Sequence, residues 1–345
     1  MIPKAASRQV PARYVLLLDD YFRSSGSSLA AVLRSAEVDP DRIRETDFSL
    51  SEEQIDTFIE EGMRLAKRSD IGFEWGRRLK LNSHDILGYA MLSAPNLDRV
   101  LRLCSRYYRL LTPMFRMLYH RTGDRAELIF RPAHPMRTRT LNVLQEAIAV
   151  SVHFQCTPLL QTASSVYDMY MPFEEPPHVA RYRELAPARV HFGPSALPEI
   201  RIVADTWSLD APLPMADEHA VRRAEDRCKL LLKTFSANGN FRDWVVMMLN
   251  EADSVQPTIE ELAQMLGISA RTLDRHLQNE NCGFRVLSTQ VRDARARTLL
   301  VEGELSVSQI AYKLGFTDVA NFSRAFRRAN GVSPSDFRAG ERGAR

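Results

Sequence analysis

The chain has 345 residues, 45% of them hydrophobic, with 46 Lys and Arg against 43 Asp and Glu for a net charge of +3. That apolar share can offset the entropy of ordering, which excludes a disordered polymer. The longest apolar run, residues 244–249, is far short of a membrane span of about 20 residues. The four cysteines (Cys104, Cys156, Cys228, Cys282) are too widely spaced for a C-x-x-C metal or redox motif. With no apolar stretch ahead of a cleavage site at the N-terminus, the expectation is a cytoplasmic protein of about two domains with reduced thiols and no metal or cofactor.

Residues 1–205 read as an α+β domain. An amphipathic helical segment covers 10–36 with a break at Gly26, and a helix entered through Ser49 and Ser51 covers 51–69. A third helix, rich in Leu, Arg and Tyr, covers 93–111. The period then changes to two: Phe115, Met117 and Tyr119 alternate with Arg116, Leu118 and His120. A turn at Gly123-Asp124 and a return over 126–131 complete a hairpin. A largely apolar helix over 142–156 ends before Pro158, and short strands follow at 166–171, 189–192 and 199–203. Tyr107, Tyr108, Arg116 and His120 lie near the hairpin and are candidates for the polar end of a small-molecule pocket. His84, His134, His153, His178 and His191 have no metal-ligand spacing. Proline-punctuated residues 209–214, a charged connector helix over 217–235 and a flexible joint at 236–240 make residues 206–240 a linker.

From residue 241 the pattern is all-helical and contains a repeat. Residues 258–269, TIEELAQMLGIS, recur as 306–317, SVSQIAYKLGFT. Each copy opens with a capping box, Thr258 with Glu261 and Ser306 with Gln309. Each then carries apolar residues at helical spacing and a small residue, Ala263 or Ala311, where a second helix must cross closely. Each closes at a glycine, Gly267 or Gly315, and restarts at a capping residue, Ser269 or Thr317. Helix, tight turn and helix make a helix-turn-helix unit, so two units cover 258–280 and 306–328. One extra residue shifts the second helices by 49, so that Leu273, Arg275 and Leu277 match Phe322, Arg324 and Phe326. The apolar pair faces inward and the arginine outward. A long helix over 284–301 joins the units. Gly331 stops the last recognition-type helix, and Ser333, Pro334 and Asp336 start a final one whose Phe337 packs back. Residues 281–345 carry 11 basic and 6 acidic side chains; residues 251–280 carry 2 and 6. The basic end is the footprint of a phosphate-binding surface.

Over about 100 residues, 241–340, the chain resembles the AraC/XylS-type bacterial transcription regulators. The motifs that carry the resemblance are Gly315-Phe316-Thr317, FSRAFRR at 322–328 and GVSPSDFR at 331–338. The family's closing pattern usually has Tyr where this chain has Phe337. Upstream, ARVHFG at 188–193 and LPMAD at 213–217 look like the large regulatory domain of the arabinose-binding-like branch. The resemblance implies two recognition helices in successive major-groove segments of double-stranded DNA. By position, Arg271, Asp274 and Arg275 would read bases from the first unit, and Val319, Asn321, Ser323 and Arg324 from the second. Ser306, Arg327, Arg328 and Arg338 are placed for phosphate, and Asp274 would either accept from cytosine N4 or, as the favoured expectation, hold Arg271 or Arg275. The resemblance further implies a small-molecule effector or dimerisation in residues 1–205, a homodimer, and activation through RNA polymerase, with repression as the alternative. An enzyme fused to a DNA-binding end would need a reactive-cysteine motif, and no such motif, Gly-rich phosphate loop, nucleophile elbow or H-E-x-x-H is present.

Overall fold

The computed structural model describes residues 9–343 apart from 46–47, 161–165, 196, 207–208, 238–240, 252–255, 267 and 303–304. The chain divides into two compact units, Met1–Leu231 and Leu232–Arg345.

The first unit opens with β1 (Gln9–Pro11), paired antiparallel with β2 (Ser49–Ser51) so that Val10 faces Leu50. Between them lie α1 (Ala12–Leu16), α2 (Asp19–Ser24) and α3 (Leu29–Ser35). The helical segment expected over 10–36 is therefore three short helices behind a strand. Gly26, at φ +73°, makes the expected break, while Pro11 ends the strand and admits the first helix. The helix α4 (Glu52–Ala66) starts at a capping box of Ser51 and Gln54. Two helices that the sequence pattern does not announce follow, α5 (Ile71–Arg78) and α6 (Asp85–Leu92). The next helix, α7 (Leu97–Tyr107), starts later than residue 93, because the Asn96 side chain caps it by accepting from Arg99 N.

The hairpin forms as expected. Strands β3 (Phe115–Thr122) and β4 (Arg125–Pro132) pair with Phe115 opposite Pro132 around Gly123, whose φ is +55°. The helix α8 (Thr138–Leu160) is longer than the apolar segment and contains Pro158 in its last turn. A proline there forfeits one ladder bond near a helix end, which stops the helix less abruptly than expected. Gly72 and Gly76 let α5 cross α8 closely: a Cβ on either would come within 2.6 Å and 2.4 Å of the carbonyl oxygens of Val143 and Ala147. Strands β5 (Asp168–Met171), β6 (Arg189–Phe192) and β7 (Ile200–Asp205) join the hairpin in one sheet of order β3-β4-β7-β5-β6, antiparallel except for β5 with β6. Buried carboxylates are partnered. Glu146 lies 2.6 Å from both His178 Nε2 and Tyr182 OH, and Arg181 sits 2.5 Å from both Asp70 and Glu74.

The connector helix α9 (Glu218–Ala237) includes Ser236 and Ala237 of the expected joint; residues 238–240 lie outside the described residues. Its first half belongs to the first unit. Ala220, Val221 and Ala224 are buried, and the buried Glu225 carboxylate accepts from Arg99 at 2.8 Å, Arg106 at 3.0 Å and Tyr107 OH at 3.1 Å. The second unit is helical: α10 (Phe241–Glu251), α11 (Ile259–Leu266), α12 (Ala270–Asn279), α13 (Phe284–Glu302), α14 (Val307–Lys313), α15 (Val319–Asn330) and α16 (Pro334–Gly343).

Candidate nucleic-acid interface and effector cavity

Both expected helix-turn-helix units are present, as α11 with α12 and α14 with α15. Thr258 N donates to Glu261 Oε2 at 2.7 Å, and Glu261 N donates back to Thr258 Oγ1 at 3.2 Å. Ser306 and Gln309 repeat this at 2.8 and 3.2 Å. Each capping box thereby satisfies two amides that a helix start leaves without partners. The turns are closed by equivalent bonds, Ile268 N to Ala263 O and Phe316 N to Ala311 O, both 3.0 Å. Ala263 and Ala311 are buried. Gly315 takes φ +79°, while Gly267 lies outside the described residues.

The second helices differ in their caps. Ser269 caps α12 by accepting from Thr272 N at 3.1 Å. In the other unit Asp318, not Thr317, caps α15, accepting from Asn321 N at 2.6 Å. Ser269 and Asp318 are 49 residues apart, so the extra residue sits in the turn and the cap moves with the helix. Gly331, at φ +78°, closes α15, and Asp336 N donates to Ser333 Oγ at 3.2 Å to start α16.

Each recognition helix shows one face to its core and one to solvent. Leu273 and Leu277 on α12 are buried, as are Phe322 and Phe326 on α15. Around the α15 pair, Leu300, Ile310 and Leu314 form one apolar cluster. Phe337 stacks edgewise on Phe326 with ring centroids 5.5 Å apart. The connecting α13 carries Arg292, whose guanidinium lies 5.4 Å from the Phe316 ring centroid and 3.2 Å from Gln256 Oε1. Glu280, at the end of α12, accepts from Phe241 N and Arg242 N at 2.9 and 2.7 Å and so caps α10.

Arg271 and Arg275 on α12, and Asn321, Arg324, Arg327 and Arg328 on α15, are exposed. Arg324 Nη2 donates to Asn321 Oδ1 at 2.6 Å, and the Asn321 amide donates to the Asp318 carboxylate. A cap, an amide and a guanidinium therefore form one chain along the outer edge of α15. Asp318 and its reach to Arg324 were not foreseen; a carboxylate three residues before Asn321, at a helix start, is the signal that points to it. Asp274 is half-buried and makes no ion pair with Arg271 or Arg275 among the described residues, contrary to expectation. Val319 is half-buried against the second core, so its side chain serves packing, and Ser323 is also half-buried. Arg338 is half-buried and donates to Leu305 O at 2.7 Å, a tie within the fold. Ser306 is exposed with its hydroxyl engaged in the capping box.

In the first unit a cavity of about 110 Å³ lies between α5, α7, α8 and the hairpin. The four pocket candidates are separated by it. Tyr108 lines the cavity. Tyr107 turns to Glu225. Strand alternation sends Phe115 and Met117 to the cavity wall, and hence Arg116 and His120 to the opposite face of β3. Tyr14, His84 and Gln155 line the cavity without having been singled out as pocket residues. No described helix is long and apolar enough to cross a membrane.

Comparison with known proteins agrees with this geometry. Residues 26–213 match the model described as the arabinose-binding domain of AraC transcription regulator, and residues 262–340 match a helix-turn-helix domain model. The ornithine utilization regulator of Pseudomonas aeruginosa is 28% identical over 331 residues, covering 95% of this chain and 96% of its own. An HTH-type transcriptional regulator of Mycobacterium tuberculosis is 26% identical over 350 residues, covering 97% and 98%. The solved structure of the transcriptional regulator CdpR from Pseudomonas aeruginosa aligns with 93% of this chain and 98% of its own at 20% identity, with a TM-score of 0.45. With the regulatory-domain model spanning more than half of the chain and the second model covering the helix-turn-helix region, the chain belongs to the AraC family of DNA-binding transcription regulators.

Proposed function

We propose that this regulator reads two adjacent major-groove segments, one with α12 and one with α15, and that a small effector in the first unit biases it between binding-competent and incompetent arrangements. Arg271 and Arg275 read bases from the first helix, with Asp274 as an acceptor for cytosine N4. Asn321, Ser323 and Arg324 read from the second. Arg327 and Arg328 meet phosphate, and the Ser306 cap adds a backbone contact. The protein acts in the cytoplasm as a homodimer and activates by contact with RNA polymerase. The name of the Pseudomonas relative makes an amino acid one effector to test for this chain.

One observation carries the reading. The two helix-turn-helix units share capping boxes on their first helices, turn bonds and an outward arginine at the same register, and neither Arg275 nor Arg324 is paired with a carboxylate among the described residues. The test is a reporter driven by a promoter carrying the selected operator. Activation that requires both Arg275 and Arg324 supports the reading; activation unchanged in both Arg→Ala variants overturns it.

A further inference from the structure

The cavity of the first unit has a selective chemistry. No Asp, Glu, Lys or Arg is among the described residues that line it, and most of the wall is aliphatic or aromatic, with Leu101, Met117, Leu128, Phe130 and Ile148 as examples. Arg13, whose guanidinium lies 4.9 Å from the Tyr14 ring centroid, is not in the wall and pairs with Asp85 at 2.9 Å.

The polar atoms of the wall are largely spent. Trp75 Nε1 donates to Tyr14 O, and Ser151 Oγ donates to Ile148 O, both at 2.8 Å. Thr112 Oγ1 accepts from Met114 N at 3.3 Å and keeps its own O–H donor. Tyr14 OH lies 3.0 Å from His84 Nδ1, and His84 Nε2 lies 3.2 Å from Gln155 Oε1. Burial pushes His84 down to about 4, so the ring is neutral. It then accepts from Tyr14 at Nδ1 and donates to Gln155 from Nε2. The Gln155 amide thus has its oxygen on the ring, and its two N–H donors have no hydrogen-bond partner among the described residues. The Tyr108 hydroxyl is also unspent: the residue is 8% exposed, lines the cavity and has no hydrogen-bond partner among the described residues. Cys104 and Cys156 are pushed up to about 12 by burial and contribute as small neutral thiols.

We propose that this cavity takes an uncharged, largely apolar small molecule carrying a hydrogen-bond acceptor, such as a ketone, ester or lactone carbonyl, held by the Tyr108 hydroxyl and the Gln155 amide. This names the ligand class of the effector reading above and rests on that reading for its consequence at DNA. A sugar brings more hydroxyls than the wall has free partners, and each one left unpaired weakens binding about tenfold. A zwitterionic amino acid brings two charges to a wall with no counter-ion, a larger penalty.

The full-length protein is titrated with the neutral fluorophore N-phenyl-1-naphthylamine. Neutral ketones and lactones of about ten carbons, L-arabinose and L-ornithine are then compared as competitors and as stabilisers in thermal unfolding. The neutral carbonyl compounds displace the probe and raise the unfolding temperature; arabinose and ornithine do neither. Tyr108→Phe weakens the carbonyl compounds about 3- to 10-fold and leaves the probe unaffected, since only a hydroxyl is lost; Gln155→Leu gives the same split if that variant does not fold. Ile148→Trp, confirmed as folded by its unfolding transition, fills the cavity and abolishes probe binding. Displacement or stabilisation by arabinose or ornithine but not by the carbonyl compounds overturns the inference, as does wild-type binding by folded Ile148→Trp, or no neutral binding at all. Operator affinity measured in the same samples separates the two readings. Carbonyl ligands that bind without changing operator affinity keep the cavity assignment and remove the effector role. Operator affinity that responds to ornithine alone keeps the effector role and overturns this ligand class.

Discussion

The sharpest consequence concerns Arg324. Its guanidinium is held 2.6 Å from Asn321 Oδ1, and Asn321 is anchored to the capping carboxylate of Asp318. A guanidinium that meets guanine O6 and N7 together contributes about 1–3 kcal/mol of discrimination, so Arg324→Ala is expected to weaken specific binding about 5- to 150-fold. Immobilising a free arginine on binding costs about 0.5–1.5 kcal/mol, and the Asn321 bond removes part of that cost in advance. In a double-mutant cycle Asn321→Ala and Arg324→Ala are therefore coupled by some fraction of that cost, on the order of 0.5 kcal/mol, because Asn321 has no guanidinium to orient once Arg324 is gone. The assay is fluorescence anisotropy of a labelled operator duplex at fixed salt, with single-base variants across the second box. Loss of preference at one base step in Arg324→Ala is the expected signature. Strict additivity of the two variants would refute the orienting chain. Wild-type affinity and selectivity in Arg324→Ala would refute the assignment of that residue altogether.

Other expectations follow from the same structure. Arg327 and Arg328 are exposed and make no ion pair among the described residues, so each Arg→Ala change reduces the slope of log K against log salt by about 1 without altering sequence preference; unchanged slopes would remove them from the phosphate contact. Glu225 gathers Arg99, Arg106 and Tyr107. Glu225→Ala removes the buried acceptor shared by the buried Tyr107 hydroxyl and the partly exposed Arg99 and Arg106, and is expected to cost about 1–3 kcal/mol of first-unit stability, read by denaturant unfolding. Burial holds His84 near 4, well below its ordinary 6.5. The unfolded chain therefore takes up the proton first, and stability that is complete above about pH 6.5 falls as the pH drops toward 4. Between pH 7 and 5 this amounts to about 2 kcal/mol. His84→Asn is expected to lack that component, and an equal acid loss in the variant would place the sensitivity elsewhere.

What could be read in advance depended on whether the signal was local. The tandem units were legible because caps, apolar spacing and turn glycines all lie within a dozen residues, and the 48-residue repeat shows them twice. The 49-residue shift also located Arg324 opposite Arg275. Thr317 competed with Asp318 for the cap, and geometry, not residue type, chose the residue at φ −150° and ψ 157°. The helices α5 and α6 are hard to read from sequence because each is only eight residues long and α5 buries a charged Glu74 within its apolar pattern; only the distant Arg181 partner shows Glu74 to be interior. The cavity was illegible for a related reason, since Tyr14, His84 and Gln155 meet across separations of 70 and 71 residues. The exclusion of Arg116 and His120 was within reach, because strand alternation already set them opposite Phe115 and Met117.

The account's central claim is that two recognition helices read two neighbouring stretches of one duplex. Random DNA fragments selected by the full-length protein, then sequenced, test it most directly. The expected enrichment is two short boxes separated by about one helical turn, the second losing its preferred base pair under Arg324→Ala and the first under Arg275→Ala. A single unbroken box, or an enriched pair of boxes indifferent to both substitutions, would contradict it.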